Sequence, residues 1–202
     1  MNKDQIIKNF LIKENQLSLI EKYLELLSKN NLHTNLVGKS TLFKPWTSHV
    51  LDSIQVVSFI KDKRKSILDM GTGAGLPGVI LSICGFKKIT LVDSNGKKIK
   101  FLKLVNSSLG LKINLILGRL EKIHDIKYDI ITSRALANLD MLFTYSQKFI
   151  KKNTVLIFLK GKTVNEEIDF AKKNWKFDFV KHQSISDKRG SLIIIKNLKK
   201  ND

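Results

Sequence analysis

The most informative stretch for the fold is Ser66-Ile-Leu-Asp-Met-Gly-Thr-Gly-Ala-Gly-Leu-Pro-Gly78. It begins with an apolar run that one acid, Asp69, interrupts, which is typical of a short buried strand. Glycines follow at positions 71, 73, 75 and 78, and residues 79–83 resume an apolar pattern whose spacing suits a helix. Glycine permits positive φ and a close approach by a ligand, and the N–H groups of the following helix point at that ligand. The stretch therefore predicts the nucleotide-cradling corner of a doubly wound sheet.

The acids that flank the glycines bear on the kind of nucleotide. Residues 73–78 match G-x-G-x-x-G, the dinucleotide fingerprint, so an NAD-dependent oxidoreductase is one alternative. Asp69 precedes the first glycine, where a carboxylate favours a ligand with a cationic amino group over a phosphate. Asp93 ends the next apolar run, and an acid there can accept both ribose hydroxyls of an adenosine. The layout of acid, glycines and acid favours S-adenosylmethionine as the cofactor.

The N-terminal part of the chain has a helical pattern. Residues 4–30 carry apolar side chains at intervals of three and four, which predicts an amphipathic helix. Residues 46–54 predict another helix, with Thr47 or Ser48 as its N-cap. Its residues His49, Asp52 and Ser53 share one face, which is either an ordinary polar face or the roof of the ligand pocket. Phe43 and Trp46 are expected to pack in the core, and stacking on RNA bases is the alternative.

Strand and helix patterns alternate after the charged linker at residues 61–65. Strands are predicted at 66–70, 88–93, 113–118, 128–133 and 154–160, and helices at 76–85, 97–109 and 138–151. Residues 177–181 and 191–196 are joined by a short loop, so they should pair antiparallel. The predicted fold class is α/β: a doubly wound, mostly parallel, Rossmann-like methyltransferase sheet with an antiparallel C-terminal strand, preceded by N-terminal helices. We expect residues 1–62 to form a helical extension packed on the core and residues 63–202 to form the methyltransferase domain, within one globular unit.

The composition limits the partners of the chain. Lys and Arg number 36 against 18 Asp and Glu, for a formal net charge of +18, which attracts polyanions such as RNA. Compositional drift is the other explanation of the charge, and a non-catalytic basic RNA-binding protein is a further alternative. The single cysteine, Cys84, suits a reducing cytoplasm, and no run is long enough to span a membrane. The four histidines have no ligand spacing, so we expect no metal.

Cations follow three of the predicted strands. Arg119 and Arg134 come after the third and fourth strands and Lys160 ends the fifth, at the edge where a doubly wound sheet binds its ligand. Three cations are more than an adenosine needs, so they predict an anionic second substrate.

The assembled motifs resemble the RsmG family, also called glucose-inhibited division protein B. These bacterial methyltransferases modify guanine N7 in small-subunit (16S) ribosomal RNA. The resemblance runs from residue 35 to about residue 196, and these segments carry it: 49–53, 69–78, 91–94 with 97–98 and 101–102, 119–121, 133–135 and 159–161. Ala74 and Ser48 depart from the pattern, because proline and a basic residue are usual there.

The resemblance implies a cytoplasmic enzyme that acts as a monomer on small-subunit ribosomal RNA or a ribosomal particle, with S-adenosylmethionine as its cofactor. It supplies cofactor contacts from Gly71, Leu76, Asp93, Leu120, Glu121 and Arg134. The residue patterns add Asp69, Thr72, Gly73, Gly75 and Ser94 to this cofactor set. The candidate RNA contacts are His49, Arg119, Lys160 and Arg189. Because guanine N7 carries a lone pair and no proton, we expect no general base, and Arg134 and Arg189 are the candidates that orient the base.

Overall fold

The computed structural model describes residues 1–201 and has one seven-stranded sheet. The strands are β1 (Ser66–Met70), β2 (Lys88–Asp93), β3 (Asn114–Leu117), β4 (Ile130–Arg134), β5 (Val155–Lys160), β6 (Trp175–Gln183) and β7 (Ser191–Lys200). Their order across the sheet is β3-β2-β1-β4-β5-β7-β6. The first five strands pair in parallel, and β7 pairs antiparallel with both β5 and β6. The predicted fold class is therefore confirmed.

The strand order fixes where a ligand can bind. The chain moves outward in one direction from β1 through β2 to β3, and then returns to place β4 on the other side of β1. Such a reversal opens a crevice beyond the carboxyl ends of the central strands. In register, Met70 at the end of β1 lies beside Val92 and Ser133. Asp93 and Arg134 therefore come one residue beyond the end of β1, on opposite sides of it.

Helices cover both faces of the sheet. They are α1 (Lys3–Asn9), α2 (Glu14–Asn31), α3 (Asp52–Ile54), α4 (Gly78–Ile83), α5 (Gly96–Ser108), α6 (Leu139–Ser146) and α7 (Val164–Ala171). A π-helical turn (Trp46–Leu51) precedes α3 and a 3-10 turn (Gln55–Phe59) follows it; we call residues 46–59 the roof segment. Alternate strand residues enter opposite cores, as in β5, where Ile157 packs with α4 and Phe158 packs with α6. Among residues 1–201, no helix combines the length and the apolar character needed to cross a membrane.

The N-terminal helices share a core with the sheet. Ile6 of α1 and Ile20, Tyr23 and Leu27 of α2 are buried in the same apolar cluster as α4. The Tyr23 hydroxyl also donates a hydrogen bond to the carbonyl of Ala74, at 2.9 Å. We call residues 71–77, between β1 and α4, the glycine turn. The helical extension is thus hydrogen-bonded directly to the glycine turn.

Several local expectations from the sequence were wrong. The single helix expected at residues 4–30 is two helices, because Leu11 takes a positive φ of 49° and Gln16 caps the backbone N–H of Lys13, where α2 begins. The roof segment has no side-chain N-cap, since its π-helical turn follows Pro45 directly. Helix α7 was not expected at all; its packing in the core through Val164, Ile168 and Ala171 accounts for it.

Candidate active site

The glycine turn between β1 and α4 is held from below by Asp69. This residue is fully buried, at 0% exposure. One carboxylate oxygen accepts hydrogen bonds from the Thr72 hydroxyl at 2.6 Å and the Gly78 N–H at 3.1 Å, and the other accepts from the Thr132 hydroxyl at 2.9 Å. Burial raises the pKa of Asp69 to about 6, which these hydrogen bonds partly oppose. Asp69 therefore stabilises the turn, and its contact with the amino group of a ligand stays a prediction.

Two of the glycines are required by packing. Gly75 has a φ of +93°, and a Cβ there would lie 2.5 Å from a methyl carbon of Val79. A Cβ on Gly78 would lie 2.2 Å from a methyl carbon of Leu91. The turn thus brings α4 against β2 at a distance that only glycine allows. Gly75 lines neither of the two cavities described below, so its expected contact with the cofactor is not supported.

A cavity of about 1180 Å³ opens at the carboxyl ends of the central strands. Its floor is the glycine turn, with Gly71, Thr72, Gly73 and Leu76 among the lining residues. The roof segment covers it from one side, residues 159–162 at the end of β5 line a second side, and the β6–β7 loop lines a third. The cavity is therefore enclosed by segments that are distant in the sequence.

A smaller cavity of about 480 Å³ adjoins the first, since Gly71, Lys98 and Ala135 line both. It contains these predicted cofactor residues: Asp93, Ser94, Leu120 and Glu121. The Asp93 carboxylate accepts hydrogen bonds from the N–H groups of Gly73 and Asn95, both at 2.9 Å. Each carboxylate oxygen has a second lone pair free to accept a hydroxyl. The two cavities together fit an elongated ligand with an adenosine at one end.

The strand-end cations do not form one cluster. Arg119 lines the smaller cavity, apart from Arg134 and Lys160, which line the larger one. Arg134 donates to an Asp52 carboxylate oxygen at 3.0 Å and to the Ser48 carbonyl at 3.1 Å. The three cations therefore lie at or just beyond the carboxyl ends of β3, β4 and β5, as expected, but they line two cavities and Arg134 is compensated by Asp52.

Lys160 and Arg189 are also paired with acids. The ammonium of Lys160 lies 2.6 Å from a carboxylate oxygen of Glu167 and donates to a backbone carbonyl. Arg189 is 80% exposed in its side chain and pairs with Asp187 at 3.0 Å. Both residues line the larger cavity. The Arg189 side chain is exposed there, whereas the Lys160 side chain is buried and bound to Glu167 and the Ala137 carbonyl. The two cations differ accordingly in how far they can move to meet a substrate.

Asp52 joins the roof segment to the rest of the site. Besides accepting from Arg134, it accepts a hydrogen bond from the Ser186 hydroxyl at 2.6 Å. Gln55, one turn later, binds the same β6–β7 loop through the Ser184 hydroxyl and the Ile185 N–H. Sequence reasoning placed Asp52 on the face of the roof, but gave no sign that it bridges β4 and the β6–β7 loop. Such a bridge fixes both the arginine and the loop over the cavity.

His49 is buried beside the larger cavity. It is 2% exposed and lines that cavity, and neither ring nitrogen has a hydrogen-bond partner among residues 1–201. Burial and the nearby charge of Arg134 lower the pKa of His49 to about 4, so the ring is neutral at pH 7. Ser53 is fully buried and does not line the cavity. The expected shared face is split, because a π-helical turn holds more residues than the α-helical turn that the spacing assumed.

Sequence reasoning missed four lysines that line the larger cavity: Lys44, Lys98, Lys162 and Lys188. Two of them could have been found from the sequence. Lys98 belongs to a motif on which the family resemblance rests, and Lys162 lies two residues beyond β5, near the strand end where a ligand is expected. Lys98 lies 3.8 Å from the Asp93 carboxylate. The region between residues 1 and 201 contains no cluster of His, Cys, Asp or Glu that could hold a metal ion.

Comparison with known proteins gives matches over nearly the whole chain. A family model described as rRNA small subunit methyltransferase G matches residues 16–195. The ribosomal RNA small subunit methyltransferase G of Rickettsia prowazekii (strain Madrid E) is 38% identical over 188 residues, which cover 92% of this chain and 97% of the relative. The protein of the same name from Orientia tsutsugamushi (strain Ikeda) is 37% identical, with 93% and 94% covered.

Solved structures match the fold. A ribosomal protein L11 methylase from Lactobacillus delbrueckii subsp. bulgaricus has a TM-score of 0.61 at 19% identity, over 72% of this chain and 76% of that one. A Pyrococcus abyssi tRNA (uracil-54, C5)-methyltransferase in complex with S-adenosyl-L-homocysteine has a TM-score of 0.53 at 18% identity, over 74% and 37%. At these identities the likeness concerns the fold alone.

Proposed function

The chain belongs to the rRNA small subunit methyltransferase G family, and from that premise we propose that it methylates N7 of a guanine in 16S ribosomal RNA. The methyl donor is S-adenosylmethionine. One observation carries the proposal: the glycine turn and Asp93 lie on two adjoining cavities, and the larger cavity has room for a second, anionic substrate. The adenosine end of these cavities would also suit NAD, and the charge of +18 would also suit a non-catalytic RNA-binding protein, so the family membership is what favours the methyltransferase over both alternatives.

The residues that would hold the cofactor lie along both cavities. Asp93 would accept the ribose hydroxyls, with Ser94, Leu120 and Glu121 beside the adenine, while Gly71, Thr72, Gly73 and Leu76 would border the methionine end. When bound, S-adenosylmethionine supplies a methyl group on a positively charged sulfur. Asp69 would act through the turn that it holds. Gly73 leaves its part of the turn open to a ligand, whereas the Leu136 side chain packs over Gly71, where a Cβ would lie 2.5 Å from a methyl carbon of Leu136.

The chemistry at guanine N7 asks for positioning rather than proton transfer. N7 has a lone pair and no proton, so no residue has to accept a proton during transfer. Arg134, fixed by Asp52, and Arg189, on its exposed loop, would orient the base through its O6 atom or the neighbouring phosphates. The neutral ring of His49 would meet the base with one hydrogen bond, because a neutral group adds no repulsion near the cationic donor. Arg119 and Lys160 are further candidate RNA contacts.

We also propose that the enzyme acts in the cytoplasm as a monomer, and that its substrate is 16S ribosomal RNA, free or in a small-subunit particle. Residues 1–62 would form the helical extension and residues 63–202 the methyltransferase domain of one globular unit. The shared core of α1, α2 and α4 supports that arrangement.

The experiment that tests the function combines binding with transfer. Calorimetric titration with S-adenosylmethionine and NAD side by side should give binding only for S-adenosylmethionine. Single-turnover incubation with 16S ribosomal RNA and a labelled donor should place one methyl group at N7, detected by borohydride and aniline cleavage of the RNA. Binding of NAD alone would establish the oxidoreductase alternative. RNA binding without methyl transfer would establish the non-catalytic one.

A further inference from the structure

The cations that line the larger cavity fall into two groups. They are Lys44, Lys98, Arg134, Lys160, Lys162, Lys188 and Arg189. Four of them have a carboxylate partner: Lys98 has Asp93, Arg134 has Asp52, Lys160 has Glu167 and Arg189 has Asp187. In the part of the chain that the structure describes, Lys44, Lys162 and Lys188 form no ion pair. We call these three the rim lysines.

The rim lysines are exposed and come from three separate segments. Lys44 precedes the roof segment, Lys162 follows β5, and Lys188 stands in the β6–β7 loop. The other four cations of the lining, including the exposed Arg189, are compensated by protein carboxylates, so the uncompensated positive charge of the lining is carried by the rim lysines. An uncompensated ammonium group is a good contact for a phosphate, because pairing releases the counterions that the phosphate had condensed.

Phe43 adds an aromatic face beside one rim lysine. The sequence favoured packing in the core for this residue, but its side chain is 86% exposed. It ends the 3-10 turn Lys39–Phe43, directly before Lys44, and its neighbours Gly38 and Thr41 line the larger cavity. Exposing an apolar ring to water is unfavourable. The Phe43 ring can stack on an unpaired base, since every base presents a π-face, and the adjacent Lys44 can bind a phosphate.

We propose that Phe43 and the rim lysines form a binding site for single-stranded RNA at the mouth of the cavity. The Phe43 ring stacks on a base that flanks the target guanine, and the lysines hold the phosphates on either side of it. The site binds an unpaired segment, because bases within a duplex have no free face to offer. This inference rests on the proposed function, since it concerns the RNA substrate of the same cavity.

Stacking is tested by binding of a fluorescein-labelled single-stranded oligoribonucleotide with one central guanine, followed by fluorescence anisotropy. Phe43→Ala should weaken binding about tenfold, near the low end of the range for base–aromatic stacking. Phe43→Trp should restore it, whereas Phe43→Leu should not, because leucine keeps apolar area but has no π-face. Phe170→Ala is the matched control, since Phe170 is exposed with the Lys173 ammonium 5.7 Å from its ring, but no residue near it in the chain lines the cavity, as Thr41 and Lys44 do beside Phe43. Equal binding by the parent and Phe43→Ala would overturn the stacking contact.

The lysines are tested by the salt dependence of the same binding. Replacing all three rim lysines by glutamine should lower the slope of log affinity against log salt by about 2, which is the effect of three single-strand phosphate contacts. Phe43→Ala should leave this slope unchanged, because stacking releases no counterions. The matched control replaces Lys173, Lys176 and Lys199 by glutamine; they are equally exposed and lie outside the cavity lining. An equal loss of slope in both triple variants would overturn the rim site in favour of general charge.

Methyl transfer to 16S ribosomal RNA separates this inference from the proposed function. A parent protein that transfers no methyl group refutes the function, while the anisotropy measurements still decide whether the rim binds RNA. A parent that transfers the methyl group, together with variants that bind and react as the parent does, refutes the rim site alone. Affinity for S-adenosylmethionine should be the same in all variants, because neither Phe43 nor the rim lysines contact the glycine turn.

Discussion

Asp69→Asn should make the stability of the protein less dependent on pH. The buried carboxylate has a folded-state pKa of about 6, against 3.8 for an aspartate in the unfolded chain. Between these values the folded parent keeps a proton that the unfolded chain has released, so the free energy of unfolding of the parent falls as pH rises from about 4 to about 6. The difference in pKa corresponds to on the order of 3 kcal/mol. Above about pH 7 the loss is complete, and the free energy of unfolding no longer depends on pH through this group.

Asparagine is suited to this comparison because it can keep the hydrogen bonds. Its carbonyl oxygen can accept from the Thr72 hydroxyl and the Gly78 N–H, as one oxygen of Asp69 does. Its NH₂ group would then face Thr132, whose hydroxyl can turn to accept. Asp69→Ala, in contrast, leaves the Gly78 N–H without an acceptor, and because neither variant titrates we expect it to be less stable than Asp69→Asn by about 1–3 kcal/mol at every pH.

The assay is urea unfolding of the parent and Asp69→Asn from pH 4 to pH 8, with slopes against urea required to match. The free energy of unfolding of the parent minus that of the variant should fall by on the order of 3 kcal/mol between pH 4 and pH 7. A flat difference would refute the buried charge, and a difference that rises with pH would mean that Asp69 is ion-paired. Calorimetry should show the same affinity for S-adenosylmethionine in both proteins. A stable variant that has lost the cofactor would show that Asp69 does contact it.

Three further predictions concern the ligands. Asp93→Ala should weaken S-adenosylmethionine by on the order of 2–3 kcal/mol in calorimetry, because it removes the acceptor for the ribose as well as the hydrogen bond from Gly73; unchanged affinity would move the cofactor elsewhere. Arg189→Ala should leave cofactor affinity unchanged and slow single-turnover methyl transfer about tenfold to a hundredfold, with only partial rescue by lysine; an unchanged rate would leave the guanidinium as a surface cation paired with Asp187. Ribosomal RNA binding should fall steeply with salt while cofactor affinity barely responds; a salt-independent affinity for RNA would mean that the charge of +18 is compositional drift.

The sheet could be predicted from the sequence, as could the edge of the sheet at which we propose that the ligand binds. The strands at 66–70 and 88–93 were predicted with the bounds that the structure has, because alternation, apolar runs and glycines are local signals. The position of Asp93 followed from the same signals, since a residue that ends a strand in a parallel sheet must lie at the edge where ligands bind. The antiparallel end was also readable, because a short loop cannot make a parallel crossover.

Which charged groups have an ion-pair partner could be learned only from the tertiary structure. Arg134 is compensated by Asp52, which lies 82 positions earlier, and no periodicity links two residues so far apart. Asp69 looked like a ligand contact because its position at a strand end is what the sequence shows, whereas its burial depends on Thr132 and the start of α4 packing around it. For Phe43 the prediction was wrong in the other direction. Its apolar side chain favoured packing in the core, but the residue is 86% exposed. Burial and ion pairing depend on which segments are neighbours in the folded protein. Here they depend on the contacts of the roof segment and the β6–β7 loop with the strand ends, which local sequence patterns do not encode.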